Sequence, residues 1–332
     1  MTVTAEEIRQ LAKIELHIHL EGTFTAGRIA ALAEGAGEQP PRPVDRLFAV
    51  DNLADFLETL DWVCGLVRDE PTAEAVAYDF ATYARDQGIV YAELIVNPTH
   101  WSGLSTAQLF AACARGFDRA QADGLGDFRL LPSILRQQSE KDALDLVEWI
   151  ATADIPRIVG LSIDGNEAAA GRTGPTFAAA YDRAGDLGLG RTAHAGESSG
   201  AEGVRDAIEL LGVSRIDHGV RCAEDRDVLA MVLDRAITLN VCLTSNCTLL
   251  YDSVDDHPIK DLAAAGVRYT INTDDPETLG ISLCSEIAFA AELLEWDLGD
   301  LVAAQHRAID ATFCSAPDKA ELRNLVDQVV GS

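Results

Sequence analysis

Eight times between residues 13 and 271 the chain alternates a short run rich in apolar and β-branched residues with a stretch of helical period. The runs cover 13–22, 90–96, 128–134, 157–163, 190–193, 214–217, 237–242 and 267–271. Helical patterns separate them, among them 106–122, 140–153, 176–186 and 201–211, with a helical tail from 285 onwards. Strands joined through helices form a parallel sheet. Eight such units in about 300 residues fit a closed (β/α)8 TIM barrel, an α/β fold, read here as one domain over 1–332. A doubly wound open sheet is the alternative, but no Gly-rich phosphate loop follows any strand. Two helical patterns, 23–34 and 51–67, are inserted after the first strand, separated by a Gly- and Pro-broken stretch at 35–43. The second carries Phe56, Leu57 and Leu60 and is expected to form a helical lid over a pocket.

Of the 332 residues, 48% are apolar, enough for a sizeable core. The net charge of −28, from 54 acidic and 26 basic residues, argues against a nucleic acid or an anionic membrane as partner. A small molecule remains. No run of about 18 apolar residues and no charged-then-apolar leader is present, so a soluble cytoplasmic protein is expected. Seven cysteines scattered without a framework fit a reducing compartment, and Cys242 and Cys247 lack a second pair to complete a zinc site. Oligomeric state leaves no mark in the sequence.

The chemistry collects just past the strands. The first reads KIELHIHLEG from Lys13, and side chains two apart on a strand share a face, so His17 and His19 project together. The fourth ends in Asp164-Gly165-Asn166-Glu167, the fifth in His194-Ala195-Gly196-Glu197, the sixth in Asp217-His218-Gly219, and the eighth in Asp274-Asp275-Pro276. Four of the seven histidines therefore fall at one end of the barrel, where the loops after the strands converge on a single cup. Taken singly, each group has a plainer explanation, such as a helix cap at Asp275-Pro276 or an ion pair at Asp217-His218. His100, His257 and His306 are read as structural or surface residues.

Imidazoles with carboxylate suit a borderline ion such as Zn²⁺, with a water in the remaining position. Water on such an ion has a pKa of about 7, which makes a nucleophile available without Ser or Cys. Hydrolytic barrels that bridge two metals with a modified lysine are a poor match, because Lys13, Lys141, Lys260 and Lys319 all lie away from the strands' carboxyl ends. One ion per chain is expected.

These residues resemble the adenosine/adenine deaminases of the amidohydrolase superfamily. The likeness runs from KIELHIHLEG through Leu135-Arg136, His194 to Glu197 (HAGE), Asp217 to Gly219 (DHG) and Ser245-Asn246 to Asn272 through Pro276 (NTDDP). It implies zinc-dependent hydrolytic deamination of a 6-aminopurine, adenosine to inosine first, with adenine or a modified adenosine as alternatives. By the same resemblance His17, His19, His194 and Asp274 would bind zinc. Glu197 would protonate the purine N1, His218 would orient and deprotonate the bound water, and Asp275 would contact N7. The Gly165 N–H would meet N3, and Phe56 would cover the pocket. Glu21 stands where many adenosine deaminases have Asp, at the position reaching the ribose 5′-hydroxyl, and Asp164 adds a carboxylate near the base. Another mononuclear metal hydrolase, or a metal-free binding protein on the same barrel, are the more distant readings.

Overall fold

The computed structural model describes residues 3–49, 53–251 and 253–328. Its first strand, β1 (Lys13–His19), is followed by β2 (Ile89–Val96), β3 (Asp127–Leu135), β4 (Gly160–Asp164), β5 (Gly190–Arg191), β6 (His194–Ala195), β7 (Arg215–His218), β8 (Thr238–Val241) and β9 (Arg268–Ile271). Every pairing between neighbours is parallel. Strands β1 to β5 form one run of the sheet and β6 to β9 the other.

Two connections join these runs into a barrel. Of the expected strand 190–193 only β5 at Gly190–Arg191 is regular, and β6 begins just past it at His194, yet Thr192 N–H donates to the Leu161 carbonyl and Asp217 N–H to that of Ala193, so the linking residues keep their place between β4 and β7. On the far side, Ile18 bridges Asp274 in parallel: His19 N–H donates to the Asp274 carbonyl at 2.9 Å and Asp274 N–H to that of His17 at 3.1 Å. Eight staves result, in agreement with the alternation read from the sequence.

Apart from half-buried β5 and the exposed first residue of β9, the strands are buried almost throughout on both faces, as a parallel sheet sheathed in helices requires. On β1 the period of two places Ile14, Leu16 and Ile18 in the apolar core and Lys13, Glu15, His17 and His19 on the other face. Lys13 sits at the opposite end of β1 from the histidines, its Nζ donating to the carbonyls of Ile8 at 2.6 Å and Leu11 at 2.7 Å. The excluded role of lysine at the cup therefore has a structural counterpart. Helices Thr106–Ala122 and Glu140–Ala153 start on Ser105 and Ser139, each closing a reciprocal capping box three residues on.

The inserted segment after β1 carries helices Ala26–Ala36 and Leu53–Gly65. Residues 51 and 52, expected to begin the second of these, lie outside the described residues. That helix contributes one wall of a cavity at the carboxyl end of the barrel, with Phe56, Leu57 and Leu60 facing it. Among the described residues no helix is long and apolar enough to cross a membrane.

Candidate active site

The cup holds one tight cluster of donor atoms. His17 and His19 come from β1, His194 from β6, and Asp274 from the turn after β9. One ligating atom from each lies within 4.8 Å of all the others. His194 Nε2 is 3.1 Å from Nε2 of both His17 and His19, and Asp274 Oδ1 is 3.2 Å from His17 Nε2 and 3.4 Å from His19 Nε2. Four ligands about 2.0–2.2 Å from a common tetrahedral centre stand roughly 3.3–3.6 Å apart, so this spacing fits a Zn²⁺-sized ion.

The groups behind the cluster favour the same conclusion. His17 Nδ1 lies 3.3 Å from the Asn240 carbonyl, which can only accept, so the ring proton is on Nδ1 and the Nε2 lone pair faces inward. A cation held there would take that lone pair together with those of the neighbouring His194 Nε2 and Asp274 Oδ1. Asp217 stands beneath, 3.6 Å from His194 Nδ1, held by the Asn240 side-chain amide at 2.7 Å. Ser245 Oγ donates to Asp274 Oδ2 at 2.7 Å, leaving Oδ1 for the cluster.

Two residues here have backbones in the left-handed region, His218 at φ +64° and Asp274 at φ +66°. For residues with a Cβ this costs about 1–3 kcal/mol each, and it turns both side chains off the strand ends into the cup. Gly165 at φ +94° is glycine for the same reason. At Gly22 the constraint is contact: a Cβ there would come within 2.0 Å of Asp275 Oδ1.

A cavity of about 240 Å³ opens over the cluster. Eight of the ten residues expected from the sequence line it, namely His19, Phe56, Asp164's neighbour Gly165, His194, Glu197, His218, Asp274 and Asp275. His17 lies fully buried beneath. Glu21 does not line it. Its Oε1 instead accepts from the Asn97 N–H at 2.8 Å and the Trp101 indole N–H at 2.7 Å, and it is buried away from the cavity. His100, read from the sequence as structural or surface, is on the cavity wall with Nδ1 against Asp61 Oδ1 at 2.5 Å.

Burial pushes the Glu197 carboxyl up to about 8, with Asp274 and Glu167 adding to the effect. Burial takes His218 down to about 3, which favours its neutral ring. Asp275 is raised well above the carboxylate range by burial and then by Asp274 and Glu21. Burial thus favours the uncharged forms of Glu197, Asp275 and His218 around a cluster suited to a cation. Glu167 holds the Glu197 loop in shape, its carboxylate accepting from the N–H groups of Gly196, Glu197 and Ser199, each at 3.1 Å.

The family model described as adenosine deaminase matches residues 12–329. The chain belongs to the adenosine deaminase family. Within that family it is 31% identical over 316 residues to an adenine deaminase of Sinorhizobium medicae, covering 94% of this chain and 97% of the relative. Among solved structures it is similar to adenine deaminase from Arthrobacter aurescens, with a TM-score of 0.90, 28% identity, and coverage of 97% of this chain and all of that one. It is also similar to an amidohydrolase from Burkholderia ambifaria with bound zinc, at a TM-score of 0.88 and 26% identity, covering all of this chain and 97% of that one. This adenosine deaminase family member is a hydrolase of C–N bonds that deaminates an aminopurine-type substrate.

Sequence reasoning missed the supporting layer of the family site. Asn240 and Glu167 received no role. Ser245 and Asn246 stand out in the sequence only as part of a motif, and His257 reads there as structural or surface. His257 is buried, with Nδ1 accepting from the Ile259 N–H at 3.1 Å, and burial lowers it to about 4 from the ordinary 6.5. Above pH 6.5 the ring is neutral in both folded and unfolded chains. As pH falls from about 6.5 to 4 the unfolded chain takes up a proton that the folded ring refuses, and stability drops by about 3 kcal/mol. Urea unfolding against pH is expected to show this limb, and His257→Gln to flatten it; an unchanged limb in the variant would assign it to other groups.

Proposed function

We propose that this chain carries out hydrolytic deamination of a 6-aminopurine at one zinc ion held by His17, His19, His194 and Asp274, with adenine preferred to adenosine. Zinc bound there supplies a water acidified enough to attack near neutral pH. The remaining chemistry is the chain's own. Glu197, protonated, delivers its proton to ring N1 as negative charge develops there when C6 is attacked. Asp275, also protonated, donates to N7, an acceptor in the base. His218, with Nε2 at 3.3 Å from Glu197 Oε1, orients the water beside it. Gly165 brings its N–H toward N3, and Phe56 with Leu57 and Leu60 excludes bulk water. Ammonia and the 6-oxopurine leave.

The preference for the free base rests on one observation. Asp164 and Glu21 each have one carboxylate oxygen engaged, Asp164 Oδ1 by the Asn97 amide and Glu21 Oε1 by the Asn97 N–H and the Trp101 indole, and one buried oxygen unpartnered, but only Asp164, beside Gly165, lies on the cavity wall. In a purine, N9 lies on the same side as N3. Free adenine carries an N9–H that Asp164 Oδ2 accepts; adenosine carries a ribose there and leaves that oxygen without a donor, at a cost to binding, while Oδ1 keeps its bond from Asn97. A ribose 5′-hydroxyl also finds no partner in Glu21. The apolar outer wall of Phe48, Phe56 and Leu249 makes a 5′-modified adenosine with an apolar substituent the second reading.

Steady-state ammonia release from adenine, adenosine, and 5′- and N6-modified adenosines tests this. The expected result is kcat/KM for adenine about 10²-fold or more above adenosine. Asp164→Ala is expected to lower the adenine value about 10- to 100-fold and leave that of adenosine nearly unchanged. Faster turnover of adenosine would overturn the preference, and no ammonia from any 6-aminopurine would overturn the reaction. The acidity of the chain supports a small-molecule partner over a nucleic acid, and we take it to act as one catalytic domain in the cytoplasm.

A further inference from the structure

We infer that Asn246 and His257 are positioning residues that fix the His218 ring with its proton on Nε2, so that His218 meets the attacking water as a donor and the water's proton goes to Glu197. The inference follows from one backbone amide. Ile259 N–H can only donate, and it points at His257 Nδ1 at 3.1 Å. The neutral His257 ring therefore carries its own proton on Nε2, which lies 3.3 Å from Asn246 Oδ1. With the Asn246 oxygen so engaged, its amide nitrogen faces His218 Nδ1 at 3.0 Å. Turning the amide over would set its NH₂ against the His257 Nε2–H, two donors with no acceptor between them. The chain of bonds thus runs in one direction, and His218 Nδ1 is an acceptor at its end. All three side chains are buried, so water does not compete for these positions.

A base at Nε2 needs the opposite tautomer, with the proton on Nδ1 and the lone pair toward the cavity. That role, which the family resemblance attached to His218, is not the one these bonds support. His218 Nε2 is 3.3 Å from Glu197 Oε1, so one water can touch both groups. The protons then balance as follows. Glu197 gives its proton to ring N1 and becomes a carboxylate; the water's oxygen bonds C6 while one of its protons passes to that carboxylate, restoring Glu197. The C6–N bond then breaks as the new hydroxyl's proton leaves with the amino group as ammonia. Only the fate of the protons rests on the deaminase reading; the tautomer rests on the hydrogen bonds alone.

Nitrogen-15 NMR of the zinc-loaded protein with labelled histidine reads the ring protonation directly. The expected spectrum has His218 protonated on Nε2 and bare on Nδ1; the reverse overturns the inference. In Asn246→Asp the second carboxylate oxygen accepts from His218 Nδ1 and forces the other tautomer. There kcat is expected to fall about 10²- to 10⁴-fold with KM changed only severalfold, by analogy with the loss that a wrong imidazole tautomer causes in a serine protease. An undiminished kcat overturns the inference, and if the variant does not fold the wild-type spectrum decides alone. Absence of any deaminase activity in the wild type would remove the proposed reaction without altering what the spectrum says of the tautomer.

Discussion

Glu197→Gln is expected to lower kcat on adenine by about 10³- to 10⁴-fold with bound metal unchanged. The amide keeps the size of the carboxyl and a hydrogen bond to ring N1, but it has no proton to transfer. Because the backbone N–H of Glu197 is held by Glu167, the replacement has little reason to move the loop. Glu197 lies outside the four-residue cluster of His17, His19, His194 and Asp274, although it forms a second, overlapping donor group with His218 and Asp274; with the ion in the four-residue cluster, elemental analysis of the variant is expected to return the wild-type metal content. Ammonia release and metal content measured on one preparation separate chemistry from assembly. A loss below tenfold would take the general acid away from Glu197.

His194→Ala is expected to abolish both metal and turnover. This ring is the shared corner of the cluster, at 3.1 Å from His17 Nε2 and from His19 Nε2, and its removal leaves three ligands with an open side. A ligand that binds only the folded chain stabilises it by about 4 kcal/mol when present at roughly a thousand times its Kd. Added zinc is therefore expected to raise the melting temperature of the wild type by several degrees and to leave that of His194→Ala in place. Equal zinc shifts in both proteins would mean that the ion binds elsewhere, for instance on the acidic surface.

What could be read in advance was whatever depends on short-range period. His17 and His19 were legible as a pair because a strand repeats every two residues, and the strand ends were legible because apolar runs stop where polar residues begin. Long-range geometry was not. Glu21 sits in a motif that suggests a pocket residue, but its direction is set by Asn97 and by Trp101, 80 positions on, which take its carboxylate out of the cup. His100 and His257 were passed over because they lie off the strands, and only the folded chain brings one to the cavity wall and the other behind Asn246. The break between β5 and β6 is likewise invisible in 190–193, since it arises from pairing with β4 and β7 and not from a Gly or Pro. Hydrogen-bond direction, the ground of the His218 assignment, lies beyond any pattern in residue types.

The meeting of β1 with Asp274 has a consequence for how the molecule is assembled. Two ligands belong to the first stave and one to the last, so an ion in the cluster works as a clasp across the seam. Until the final stave has been synthesised and laid beside the first, the clasp has only part of its teeth, and high-affinity metal uptake becomes a late event in biogenesis. Fragments ending before Asp274 should consequently remain metal-poor however well their earlier staves pair.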